Sequence, residues 1–218
     1  MKSYYLNTSN FLFEKNRAIR EQYDVIAYIL SILEYINVRP LSHIRCMEND
    51  ADVIIYVDKM SRLFWRNEVQ IHSIQFPFYL RENEMYLQAE FGDRVIDSLS
   101  ISILRTILKE RENVMSTMES LLDGFVETMY SFDIQDSADI EFYWKLLMHL
   151  LLFEAGYLRY DYDDNPERVN PETHPKNHID IFYSGNSTFK VGLQREIVYE
   201  EFKKIMDIND ICYYLNIF

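Results

Sequence analysis

Residues 157–193 read YLRYDYDDNPERVNPETHPKNHIDIFYSGNSTFKVGL, and the organisation of the chain turns on how this stretch folds. In residues 157–163, Leu158, Tyr160 and Tyr162 occupy alternate positions, with Arg159, Asp161 and Asp163 between them. In residues 178–183, Ile179, Ile181 and Tyr183 alternate with His178, Asp180 and Phe182. A strand turns successive side chains to opposite faces, so each run has one apolar and one chemical face. If the runs pair with their apolar faces on a core, Arg159, Asp161, Asp163, His178 and Asp180 converge on the other face, with His174 close by. Residues 184–187 then form a hairpin tip leading into a further strand over 188–193.

The surrounding chain is that of a folded protein. Its 218 residues can bury an ample core, and a hydrophobic content of 48% argues against wholesale disorder. With few Gly and Pro, no linker, repeat or low-complexity tract, it reads as one α+β domain over residues 1–218, with a candidate sub-boundary near residue 156. The net charge of −13 is concentrated in the middle, where residues 101–156 hold 10 acidic side chains against 4 basic ones. A duplex-binding surface displaces phosphate counterions with Lys and Arg, and no basic block exists here, so broad nucleic-acid binding is disfavoured. A basic protein partner suits such a surface better. Cys46 and Cys212 stand far apart without metal-ligand spacing, the first residues lack the pattern of a secretory signal, and no apolar run approaches bilayer length. These features predict a soluble cytoplasmic protein with no membrane association.

In chain order, apolar residues recur at helical steps over residues 10–37, with Ser9 or Asn10 as N-cap and Pro40 ending the helix. Residues 52–97 predict an antiparallel meander of three to five strands, bending at Asn67–Glu68, at residues 82–84 and at Gly92–Asp93. A central helical pair follows. Leu104, Ile107, Leu108, Met115, Met118, Leu122, Phe125, Val126 and Met129 form a long stripe from a cap at Ser98 or Ser100. Residues 140–155 then form a helix apolar nearly all round, capped by Asp136 or Ser137 and closed by Gly156. After the hairpin, residues 198–206 are helical and residues 208–218 make a last apolar turn or helix.

Gly-rich phosphate loops, a serine nucleophile elbow and a helical zinc-protease motif are all absent from the sequence. The candidate chemistry lies in His174, His178, Asp161, Asp163, Arg159 and Asp180. Without metal, His178 can serve as general base oriented by Asp180 or Asp161, while Arg159 stabilises charge on a phosphate. Two imidazoles plus Asp161 or Asp163 also have the donor types of a transition-metal site. The structural alternative is that Arg159 pairs with a neighbouring Asp and the histidines satisfy loop carbonyls. The sequence does not choose a cofactor, and the cofactor stays unknown. Elsewhere, His149 is expected to be a satisfied core residue and His72 to lie on a sheet surface. Phe64, Trp65, Phe76, Phe78 and Tyr79 are read as core or protein interface rather than as a base-stacking platform, because few basic residues interleave them.

The string Leu158–Arg159–Tyr160–Asp161–Tyr162–Asp163, followed by His174–Pro175–x–x–His178, resembles a family of uncharacterised bacterial proteins. In that family an RYDYD strand precedes an HPxxH loop, a strand and a C-terminal helix, in mobile or defence-type gene neighbourhoods. Some small toxins of toxin–antitoxin pairs are similar in having an Arg-Tyr strand and a later His cluster. The resemblance covers roughly the last sixty residues and implies a component of a bacterial conflict system, either phage defence or toxin–antitoxin, acting with a protein partner. If the His/Asp cluster is catalytic, Arg159 with His174 and His178 suits phosphodiester or nucleotide chemistry, that of a nuclease-like or phosphodiesterase-like hydrolase. The rival expectation is a non-enzymatic acidic inhibitor or adaptor, whose central helices around Glu110, Glu112 and Glu119 meet a basic partner.

Overall fold

The computed structural model describes residues 2–8, 19–44, 46–57, 60–109, 117–184 and 187–212. The fold is α+β with antiparallel sheets. The chain expected to form one domain divides into two compact units, one of them Met1–Asn10, Arg45–Phe76 and Ala155–Phe218, the other Phe11–Ile44 and Pro77–Glu154. The second is inserted into the first at two places in the sequence, and one division falls between Glu154 and Ala155.

The first unit is built on a seven-stranded sheet. It contains β1 (Ser3–Leu6), β2 (Val53–Tyr56), β3 (Arg62–Arg66) and β4 (Gln70–Gln75). It continues with β8 (Leu158–Tyr162), β9 (Asn177–Ser184) and β10 (Ser187–Gly192), since β5–β7 belong to the other unit. Spatial order follows chain order, β1-β2-β3-β4-β8-β9-β10, so every neighbour is antiparallel and the insertion between β4 and β8 leaves the ladder unbroken. One face carries Ile54, Phe64, Ile71, Tyr160 and Ile179, and the amphipathic helix α6 (Tyr199–Met206) covers it through Tyr199 and Phe202. Phe64 meets Tyr56, Tyr199 and Phe202 edge-on, the arrangement aromatic quadrupoles prefer. Glu201 accepts a hydrogen bond from the Val198 N–H and so closes the start of α6.

The second unit contains α1 (Gln22–Val38), the short α2 (Leu41–Ile44), α3 (Ser98–Lys109), α4 (Met118–Ser131) and α5 (Ser137–Leu152). Its three-stranded sheet is β5 (Tyr79–Glu82), β6 (Leu87–Phe91) and β7 (Arg94–Val95). Asn83 makes the β5–β6 turn by accepting from the Met85 and Tyr86 N–H groups, and Gly92 supplies the positive φ of 63° at the β6–β7 turn. Among the described residues no helix is long and apolar enough to cross a membrane.

Several boundaries differ from the sequence pattern for local reasons. The first helix starts at Gln22, because Asp24 accepts from the Arg20 and Glu21 N–H groups and ends the helix there; the Ser9 and Asn10 caps lie outside the described residues. It stops at Val38, and Arg39 before Pro40 is extended. Among the described residues the long central stripe falls on two helices, α3 capped by Asp97 rather than by Ser98 or Ser100, and α4 capped by Thr117; residues 110–116, with Met115, lie outside the described residues. Asp136 caps α5, as expected, but Phe153 rather than Gly156 closes it. Gly156 takes a positive φ of 51° farther on, where its carbonyl accepts from Arg62. The apolar α5 buries Phe142, Tyr143, Leu146, Leu147 and Leu150, but leaves Leu152 exposed. Strand β1 was not legible in the opening residues, and the described part of residues 208–218 contains no helix. Phe64, Trp65, Phe76 and Phe78 are buried and Tyr79 is exposed.

Candidate functional site

The candidate site lies on the sheet face opposite α6. Antiparallel register places Leu6, Val53, Trp65, His72, Arg159, Asp180 and Lys190 in one row across all seven strands. Directly opposed residues in such a pairing share a face, so this row is fixed by backbone hydrogen bonding. A second, shorter row of Gln70, Asp161, His178 and Gly192 runs beside it. The chemical half of both rows comes from β8, β9 and β10.

Arg159 ties the rows together. Its Nη2 lies 2.6 Å from Asp180 Oδ2 and 2.6 Å from Asp161 Oδ2, and its Nε donates to Asp161 Oδ2 at 2.8 Å. Burial works against the Arg159 charge, but Asp161 and Asp180 outweigh it and hold the guanidinium above its ordinary pKa. Gln70 Nε2 donates to the other Asp161 oxygen at 2.7 Å. Lys190 Nζ donates to Asp180 Oδ1 at 2.7 Å and stands 3.1 Å from His178 Nε2. Asp180 is 2% exposed and His178 is fully buried, whereas the Lys190 side chain remains 31% exposed. Two carboxylates thus face two cations, which is how a buried row can keep its charges.

The HPKNH loop sets the histidine tautomer. His178 Nδ1 lies 2.7 Å from the Pro175 carbonyl, which can only accept, so Nδ1 carries the proton and Nε2 offers its lone pair to Lys190. With a second proton, Nε2 would face Asp161 Oδ2 at 3.3 Å instead. Gly192 makes room for this loop: a Cβ there would sit 2.9 Å from the Pro175 ring. An isolated bridge between Asn170 and His174 folds the preceding loop.

His174 and Asp163 form a separate pair beside the rows. His174 Nε2 is 3.2 Å from Asp163 Oδ2, and its ring lies edge-on to His178 with centroids 4.7 Å apart. The Asn165 N–H holds the Asp163 carboxyl below its ordinary pKa, with His174 and Arg168 acting in the same direction. Of the six sequence-predicted residues, Arg159, Asp161, His178 and Asp180 form one network, and His174 and Asp163 flank it. Sequence reading missed Lys190 and Gln70. Each sits in an alternating segment, but only cross-strand register shows that they belong to these rows.

His72 is a correction. It is buried rather than on an open sheet surface, stacked on Trp65 at 4.5 Å, with Nδ1 2.8 Å from the Tyr157 hydroxyl. Burial, reinforced by Arg159, pushes its pKa down to about 3, so it is neutral at ordinary pH. Its Nε2 has no hydrogen-bond partner among the described residues. His149 is half-buried in α5 and bonded to the Pro77 carbonyl, a satisfied histidine.

No family model matches the chain, and no curated protein or solved structure matches it. The geometry alone therefore defines what the site can do. Asp161, His178 and Asp180 bring three ligand atoms within 4.8 Å of one another, close enough to hold a metal ion. Arg159 and Lys190 already balance the two carboxylates, so a cation would have to displace the Lys190 ammonium. Without that displacement the arrangement offers a histidine base of fixed tautomer, a second imidazole, and one partly exposed cation, Lys190, able to meet an anion.

Proposed function

We propose that the β8–β10 face processes a phosphodiester or nucleotide, and that the protein is a cytoplasmic component of a bacterial conflict system acting with a protein partner. The observation that carries the chemistry is the position of Lys190 Nζ, shared between Asp180 Oδ1 and His178 Nε2. Lys190 can turn toward an entering phosphate while Arg159 keeps Asp161 and Asp180 paired, and this frees the Nε2 lone pair of a histidine whose other nitrogen is held by Pro175. In hydrolysis, His178 Nε2 takes a proton from the attacking water as the new P–O bond forms. The P–O bond to the leaving group breaks, and protonated His174 supplies the proton to the departing oxygen. Asp163 positions His174 for that role. The likeness of the RYDYD and HPxxH segments to the defence-associated bacterial family supports the cellular setting.

Hydrolysis of bis(p-nitrophenyl) phosphate and of single-stranded oligonucleotides tests the chemistry, and phage plating and growth test the setting. Alanine at His178 should lower turnover by about 10²–10⁴-fold in a folded protein. Lys190→Met should weaken substrate binding while keeping the sheet, since its side chain reaches solvent. Unchanged turnover and plating in folded His178→Ala and in the His174→Ala/His178→Ala double variant would reduce both histidines to loop scaffolding.

A further inference from the structure

The exposed side of α4 has a composition that the proposed chemistry does not use. Met118, Leu122, Val126 and Tyr130 recur every four residues and are 63%, 48%, 42% and 77% exposed. Glu119, Asp123 and Glu127 recur one position later and are also exposed. The helix therefore carries an apolar strip and an acidic strip side by side along its length. Its other side is occupied: Leu121, Phe125 and Met129 are buried, and Phe125 meets Trp144 edge-on at 5.0 Å. No Lys or Arg falls within Met118–Ser131.

We propose that this face of α4 docks a basic amphipathic helix of a protein partner. Four large side chains in a row leave apolar area that a second helix can cover by packing its ridges into the i, i+4 grooves. The acidic strip sets the partner's charge. Lys or Arg stems can lie along the rim of the apolar strip while their charged heads reach Glu119, Asp123 and Glu127. Self-pairing through a two-fold axis would instead set like-charged strips near each other, and an anionic bilayer would repel the same three carboxylates. A basic helix meets both strips favourably.

The test uses the full chain and a labelled synthetic helix of about 18 residues made of Leu and Lys, with a Leu and Glu peptide of the same apolar face as control. Fluorescence anisotropy should show at least about tenfold tighter binding of the Lys peptide, weakened by salt. The Glu119→Lys/Asp123→Lys/Glu127→Lys variant should reverse the preference. The Leu122→Asn/Val126→Asn/Tyr130→Asn variant should lose about tenfold or more while keeping the wild-type melting temperature. His178→Ala should bind the peptide like wild type, which separates failure of this proposal from failure of the sheet chemistry. Equal affinity for both peptides, or full binding by the Asn variant, would overturn the proposal. So would self-association of the wild type that the Asn variant abolishes, because the occupant would then be a second copy.

Discussion

Asp161 and Asp180 on the sheet and Glu119, Asp123 and Glu127 on α4 are acidic groups of the same chain in opposite situations. The sheet pair is buried, and Arg159 and Lys190 lie within 2.6 and 2.7 Å of it. The α4 group is exposed, on a helix that brings no cation. Solvent screens the second set, so each charge there is worth little to the fold. A buried carboxylate cannot rely on water, and its cations become part of the structure. The net charge of −13 describes both sets equally and distinguishes neither.

The largest test of this contrast is Asp180→Ala, which leaves Arg159 and Lys190 without their shared buried carboxylate. A loss of about 3–5 kcal/mol in urea unfolding is expected. Asp123→Ala on α4 should stay within about 0.5 kcal/mol. Equal, small effects would mean that the sheet row is solvated after all.

Next comes pH. His72 stays neutral in the fold down to about pH 3, whereas an unfolded His takes a proton near its ordinary pKa of 6.5. Below that value the unfolded state binds the extra proton, so stability is complete above about pH 6.5 and falls as pH drops toward 3. The contribution is about 1.4 kcal/mol per pH unit across that window. Replacing His72 with Phe, which can keep the stack on Trp65, should flatten the slope of stability against pH by one proton. An unchanged slope would show that His72 titrates normally.

His174→Ala should cost less than about 1 kcal/mol, because its pair with Asp163 is partly open to solvent. Smaller still, Glu127→Gln should leave the melting temperature unchanged. Glu119→Gln should lower stability by about 0.3–1 kcal/mol, because Glu119 lies in the first turn of α4 and favours the helix dipole. If His174→Ala proved as costly as Asp180→Ala, the flanking pair would belong to the buried network.

Much of the candidate site was legible because period-two alternation is a property of sequence. The patterns of residues 157–163 and 178–183 placed Arg159, Asp161, His178 and Asp180 on one face, and the β8–β9 register pairs Arg159 with Asp180 and Asp161 with His178. Lys190 and Gln70 were not legible there. Alternation gives the face of a strand but not its neighbour or register, and β4 stands far from β8 in the chain. His72 was misread for the same reason: its burial comes from Trp65 and Tyr157, which cross-strand pairing and folding bring to it. Helix starts moved where a single side chain outcompeted the pattern, as Asp24 and Asp97 did. Strand β1 is only four residues long, and its partner lies some fifty residues on, so no local signal announced it.

By itself the sequence determined the α+β class, the alternating β8 and β9 faces, the acidic middle of the chain and the absence of a basic nucleic-acid block. These follow from composition and from local periods of 2 and 3.6 residues, which need no partner to be read. Tertiary structure decided that the chain forms two compact units, each assembled from separate stretches of sequence, that Lys190 closes the charge row, and that His72 is buried and neutral. Each depends on which distant segments pair, and pairing is chosen by the summed burial and hydrogen bonding of the whole sheet rather than by any one stretch.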